Sequence, residues 1–276
     1  MSGIYLSAYC VDFRDYELLR KMLIKLSEWN VGVEFGTSWK HPEFDQQLEA
    51  QIGRFDGVPV TIHAPFGESC CLPGTEEYVR MQQKFDKAFR WYHAFGASSM
   101  VMHTHKRKVS AEEKMELQAV SERVIMSMAE RARMEGVNLT VENVGFRSKG
   151  SELYDQEEFI HLFERLPEDV GALIDTGHAM VNGWDIPDVI RRLEKRIRGL
   201  HLHNNDGLRD LHRPIFEKDL AYSEDQMVEL LLCVKENCPD ADLILEYAPS
   251  SCINTELFER NINRMRSCLF QQNPLS

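Results

Sequence analysis

Eight short apolar runs recur along the 276-residue chain, at residues 4–10, 31–35, 58–62, 98–102, 137–141, 171–174, 197–202 and 243–245. Short apolar runs bounded by turn-forming residues read as buried strands. Between them lie longer stretches with apolar residues at helical spacing. Leu18, Leu19, Met22, Leu23 and Leu26 form one such stripe within 13–29, and Phe85, Phe89 and Tyr92 another within 76–95. Helices are also expected at 41–55, 111–134, 155–166, 187–196, 223–236 and 254–269. Gly136 suits a C-terminal cap, Pro167 closes the helix before it, and Ser223 suits an N-cap. Strands alternating with helices imply parallel βαβ units. Eight such repeats favour a closed (β/α)8 TIM barrel over an open doubly wound sheet. With no linker, low-complexity tract or break in composition, residues 1–276 read as a single domain.

A chain that is 43% hydrophobic can bury a core of that size. Its net charge of −12 argues against general attraction to nucleic acid or an anionic membrane, although a local basic groove stays open. No apolar run approaches the roughly 20 residues of a membrane helix. The opening MSGIYLSAYC lacks the basic start and long apolar centre of a signal peptide and reads as the first strand. Seven scattered cysteines without a CxxC pair fit free thiols in a reducing cytoplasm and leave no zinc–thiolate site. The oligomeric state is left open, a homo-oligomer included.

The polar residues are placed as a barrel requires. Glu34, His63, His103, Glu142, Asp175, His201 and Glu246 each stand at the C-terminal end of an expected strand. Those ends share one face of a (β/α)8 barrel, the face that carries active sites. Glu142, Asp175, His201 and Glu246 come from four successive strands. Carboxylates with an imidazole suit Mn, Mg, Co or Zn as divalent ions. His63 and His103 have the donor types for a second ion bridged by Glu142, and Asp210 with His212 for a third. His178 suits either a metal or a substrate oxygen. Asp175 also has a plainer role open to it, as cap of the turn that begins at Thr176. Residues two apart on a strand face the same way, so His201 and His203 compete as ligand. Spacing to Asp210 and His212 favours His201, leaving His203 to contact substrate or to support a ligand; the reverse assignment puts Arg209 at the site mouth, where it would contact an anion or hydroxyl of the substrate. Glu34 is expected to orient substrate or support a ligand. Trp39 and Trp184 lie in loops on the same side, and one of them, Trp184 in this reading, is expected to floor a sugar ring.

The segments HAPF (His63), VMHTH (His103), VEN (Glu142), DTGHA (Asp175, His178), HLHNNDGLRDLH and LEY (Glu246) together resemble the xylose-isomerase-like barrel superfamily over essentially the whole chain. The resemblance implies a metal-dependent enzyme on a small-molecule sugar or cyclitol. In isomerase and epimerase members a Glu–Asp–His–Glu tetrad binds one divalent metal and its glutamates move protons through a metal-stabilised enediolate. Carried over, the tetrad is Glu142, Asp175, His201 and Glu246, with Glu142 and Glu246 catalytic. Abasic-site nucleases of the endonuclease-four type hold three zinc ions through nine ligands. The matching positions are His63, His103, Glu142, Asp175, His178, His201, Asp210, His212 and Glu246. A lyase or dehydratase on the same scaffold is a further alternative. Against the nuclease, RPIFEKDLAY stands where the Asp-x-His is followed by a glycine-rich stretch, and GFRSKG where a small loop follows VEN. Only GFRSKG and HKRK supply short basic clusters near strand ends for phosphate contact.

Overall fold

The computed structural model describes residues 3–10, 16–37, 42–65, 71–105, 108–145, 152–248 and 255–270. Eight parallel strands close in chain order into a barrel. They are β1 (Ile4–Ser7), β2 (Gly32–Gly36), β3 (Val60–His63), β4 (Met100–His103), β5 (Leu139–Glu142), β6 (Gly171–Asp175), β7 (Ile197–Leu202) and β8 (Asp242–Leu245). The helices outside them are α1 (Tyr16–Trp29), α2 (Pro42–Glu49), α3 (Glu76–Ala94), α4 (Lys114–Glu135), α5 (Gln156–Arg165), α6 (Thr176–Asn182), α7 (Ile186–Leu193), α8 (Glu224–Asn237) and α9 (Thr255–Phe270).

Successive residues of a strand point to opposite faces, and the packing divides accordingly. Leu6, Val33, Ile62, Met102, Val141, Ile174, Leu202 and Leu245 join the large apolar core beneath the helices. Tyr5, Val101, Leu173 and Ile244 form a separate small cluster, which fills the barrel interior. Two residues further along, the same inward face carries His103, Asp175 and Glu246. The metal-type residues therefore sit directly on an apolar plug.

Several helix ends form as their residues require. Gly136 takes the left-handed conformation, φ 67°, at the end of α4. Asp155 with Glu158, and Ser223 with Gln226, make reciprocal capping boxes at α5 and α8. Leu166 is extended before Pro167, which ends α5.

The differences from expectation are local. Strands β3, β4 and β5 begin later and run to His63, His103 and Glu142, so these residues lie within the ladders rather than beyond them. β2 runs two residues past Glu34, to Gly36, which sets Glu34 one pleat deeper than a strand-end residue. The expected helix at 41–55 divides into α2 and a 3-10 turn at Ile52–Phe55. The α6 helix was not expected: Asp175 caps it by accepting from the His178 N–H at 2.6 Å. Trp39, most of GFRSKG and the centre of HKRK lie outside the described residues. Among the described residues Cys233, Cys238 and Cys268 are free thiols. No described helix is long and apolar enough to cross a membrane.

Candidate metal centre

Neighbouring strands set the donors level with one another. In the parallel register His103 pairs with Glu142 and Asp175 with His201. His201 Nδ1 lies 3.2 Å from Glu142 Oε1, 3.4 Å from Glu246 Oε2 and 3.8 Å from Asp175 Oδ2. One imidazole nitrogen thus faces three carboxylates from three other strands. On the opposite side, His63 Nε2 and His103 Nε2 lie 3.4 and 3.2 Å from Glu142 Oε2. Glu142 therefore presents one oxygen to each of two groups.

A third group forms on the loop after β7. An antiparallel bridge between Asn204 and Arg213 closes that loop. His212, at φ 48°, sits just inside it in the left-handed region, a strained conformation of the kind that clusters at functional sites. His212 Nε2 and His178 Nε2 lie 3.1 and 3.3 Å from the same Asp210 oxygen. The donor atoms of His63–His103–Glu142, of Glu142–Asp175–His201 and of His178–Asp210–His212 each lie within 4.8 Å of one another.

The donor set fits divalent ions. Among the described residues Asp210 Oδ1 is buried without a hydrogen bond, and Glu142 Oε2 meets the two Nε2 atoms of His63 and His103 without a well-formed one; a buried carboxylate oxygen so placed is costly unless a cation meets it. Three of the rings are already oriented: His63, His178 and His212 direct Nδ1 to the carbonyls of Ala64, Asn143 and Glu246 at 2.7, 3.0 and 3.1 Å. A carbonyl only accepts, so these rings carry a hydrogen on Nδ1, which leaves Nε2 as the nitrogen that would meet a metal in place of a proton.

Within the protein's own atoms the charges are balanced by imidazoles. Burial alone would push the Glu142 carboxyl up, but His103 and His201 hold it well below the usual carboxylate range. Asp175 is held down in the same way by His178 and His203 against its burial. Burial would lower His201 and His178, yet Glu34, Glu246 and Glu142 raise the first and Asp175 and Asp210 raise the second, both well above the ordinary value. His212 is raised to about 9, its contacts with Asp210 and Glu246 outweighing burial. His63 is raised through Glu142, while at His103 burial wins and the ring is lowered.

A cavity of about 230 Å³ opens over these groups, lined by Tyr9, His63, His103, Glu142, Val144, Gly145, His178, Asp210, His212 and Glu246. A larger cavity of about 300 Å³, between Ser98, Asn138, Arg198 and Asp240, lies at the other end of the strands. It is remote from the donor groups.

Of the residues expected to touch substrate, the structure brings only His178 to the cavity. His203 is fully buried, bonded through Nε2 to both Asp175 oxygens at 3.0 Å and stacked on the His212 ring at 4.0 Å. Glu34 is buried behind His201 and reaches its Nε2, at 3.1 Å, and the Thr61 hydroxyl. Trp184 does not floor the cavity: it is buried against Phe159, with ring centroids 5.4 Å apart. Arg209 is exposed at the tip of the loop and paired with Asp206 at 2.7 Å. It lies outside the described lining.

Sequence reasoning missed other contributors. Tyr9 borders the cavity, its ring 5.1 Å from that of His212. It follows β1 and was legible by the same strand-end logic. Asn143 exchanges two hydrogen bonds with the backbone of Asp175, and Thr176 Oγ1 meets both the His201 and His203 carbonyls. A Cβ on Gly145 would stand 2.7 Å from the His178 Cα, and one on Gly177 would stand 1.9 Å from the His203 ring. Both glycines permit the close packing of the site.

Comparison with known proteins agrees with this architecture. The family model described as xylose isomerase-like TIM barrel matches residues 31–268. No curated protein matches the sequence. Among solved structures, a D-tagatose 3-epimerase-like protein superposes with a TM-score of 0.74 at 17% identity, covering 96% of this chain and 98% of that one. The zinc-bound IOLI protein gives 0.73 at 15% identity, with 97% and 98% covered. Endonuclease IV from Thermus thermophilus gives 0.59 at 16% identity, again with 97% and 98% covered. At these identities the likeness is one of fold.

Proposed function

The chain belongs to the xylose isomerase-like TIM barrel family, and from that premise we propose that it is a divalent-metal-dependent isomerase or epimerase of a free or modified sugar or a cyclitol. The observation that carries the reading is the placement of Glu142 and Glu246. Both line the cavity, and both approach Nδ1 of His201. Carboxylates that only hold a cation need not face open space. Two carboxylates that also border the substrate space supply a base to remove a proton and an acid to return it.

Glu142, Asp175, His201 and Glu246 would hold a divalent ion, which would supply Lewis acidity at the substrate carbonyl. The donor set admits Mn, Mg, Co or Zn. Glu142 and Glu246 exchange the proton at the substrate carbon. His178, fixed through Nδ1 by the Asn143 carbonyl, orients a hydroxyl with Nε2. Tyr9 lines the side of the cavity next to His212. At about 230 Å³ the space is smaller than the roughly 300–1,000 Å³ of drug-sized pockets and suits a small polyol.

Deuterium wash-in from heavy water across a panel of ketoses, aldoses and inososes tests the proposal. Glu142→Gln and Glu246→Gln are each expected to abolish exchange; near-normal turnover in both variants contradicts it. One observation favours a second reading. The His63–His103 pair and the His178–Asp210–His212 group extend the tetrad to three donor sets, which suits a phosphodiesterase with up to three zinc ions. Incision of a duplex bearing one abasic site, without any sugar exchange, would select that reading.

A further inference from the structure

The histidines around the cavity are not all held in the same way. His63, His178 and His212 are each pinned through Nδ1 by a backbone carbonyl and offer Nε2. His201 is reversed. Its Nε2 faces Glu34, at 3.1 Å from Oε1 and 3.3 Å from Oε2, and its Nδ1 faces the carboxylates of Glu142, Asp175 and Glu246. We propose that Glu34 is the positioning residue of the central site: it takes the His201 Nε2 proton in a hydrogen bond and so presents the Nδ1 lone pair to the metal. This rests on the metal-centre reading above.

A neutral imidazole has one lone pair and one N–H, and the partner of one nitrogen decides which side is which. An ionised carboxylate only accepts, so Nε2 carries the hydrogen and Nδ1 is left to coordinate. The ring also offers the opposite nitrogen from the carbonyl-pinned rings, which its place on β7 explains: Nε2 reaches across the barrel to β2, while Nδ1 meets β5, β6 and β8. Finally, Glu34 is itself fixed. It is 1% exposed, one pleat below the end of β2, and accepts from the Thr61 hydroxyl. A buried carboxylate behind a ligating imidazole also makes that ligand more basic than a carbonyl would.

The arrangement singles out one site for mutation. No side-chain substitution removes the carbonyls behind the other three rings, whereas the support of His201 is a side chain. In the chelator-stripped protein titrated with Zn²⁺ against a chromophoric chelator, Glu34→Leu is expected to weaken the tetrad's ion by about 10- to 100-fold. Glu34→Gln keeps an acceptor oxygen of the same shape and is expected to recover most of that loss. In ¹⁵N-histidine-labelled, Zn²⁺-loaded wild type, His201 is expected to show a protonated Nε2 and a coordinated Nδ1. Glu34→Leu is expected to change that pattern while those of His63, His178 and His212 persist.

Wild-type affinity together with an unaltered His201 pattern in Glu34→Leu overturns the role of Glu34 and leaves the metal site standing. In the Zn²⁺-loaded wild type, a His201 protonated at Nδ1 overturns it as well, whether or not the Leu variant folds. Failure of the wild type to bind Zn²⁺ at all removes the metal reading and this inference with it.

Discussion

Two layers of the barrel interior are separated by one pleat and carry opposite chemistry. Tyr5, Val101, Leu173 and Ile244 make the lower layer, wholly apolar but for one phenol. Two residues on, His103, Asp175 and Glu246 begin an upper layer in which carboxylates and imidazoles share the ring. The contrast teaches why the upper layer is so closely interlocked. The plug keeps water from reaching it from below, and a buried charge without solvent must be met by an opposite charge or a metal. The apolar layer supports the fold, and it also makes the layer above demand cations.

The largest effect that separates the two layers is expected in the plug. Leu173→Ala should cost about 2–5 kcal/mol of stability through the lost burial and the cavity left behind. Denaturant unfolding measures this, and the metal bound per folded chain should not change. If metal is lost in proportion to stability, the layers are not separable in this way.

Gly177→Ala probes the upper layer from behind. Its Cβ would meet the His203 ring at 1.9 Å, and overpacking of that kind costs about 1–3 kcal/mol. His203 grips both oxygens of Asp175, so weaker metal binding should accompany the loss. An unchanged metal affinity would show that Asp175 does not depend on the packing beneath it.

The ion-free protein should show a smaller dependence on pH. His212 is raised from 6.5 to about 9 by Asp210 and Glu246. A pKa raised in the folded state stabilises fully below the unfolded value and is lost as pH rises through the folded one. Stability of the chelated protein is therefore expected to fall between pH 6.5 and about 9, by no more than about 1.4 kcal/mol per pH unit for this one proton. Metal-loaded protein should lack this loss, because an ion takes the place of the proton. A flat profile in both states would contradict the balance of charges described for the loop. The smallest effect is expected from Arg209→Ala. The side chain is 59% exposed and its ion pair with Asp206 is screened by water. Stability should stay within about 0.5 kcal/mol, and a severalfold rise in KM would return Arg209 to the substrate.

Much of this was legible because barrel topology turns a linear pattern into a ring. Each ionisable residue that closes an apolar run must reach the same face, whatever the loops do, and so Glu142, Asp175, His201 and Glu246 converge as expected. The alternation behind them was equally plain: Val101 precedes His103, and Leu173 precedes Asp175, by the two-residue period of a strand. What escaped was depth and partner. Nothing local shows that β2 continues past Glu34, which decides whether that carboxylate faces substrate or the back of His201. His203 shares the inward face with His201, but its pairing with Asp175 depends on Gly177 in another strand–helix turn. Trp184 lies between helices because the short α6, invisible in the apolar periodicity, turns the chain away from the mouth. Such facts are set by contacts between distant segments.

The account stands on the tetrad as a metal centre, and the most direct test is the metal content of the chain purified without chelators, read by elemental mass spectrometry and followed by titration of the stripped protein with Mn²⁺, Co²⁺ and Zn²⁺. The account predicts at least one divalent ion per chain, lost on chelation, restored on titration and absent in Glu246→Ala. A wild-type chain that retains no metal and gains neither bound ion nor thermal stability in any of the three titrations would contradict it.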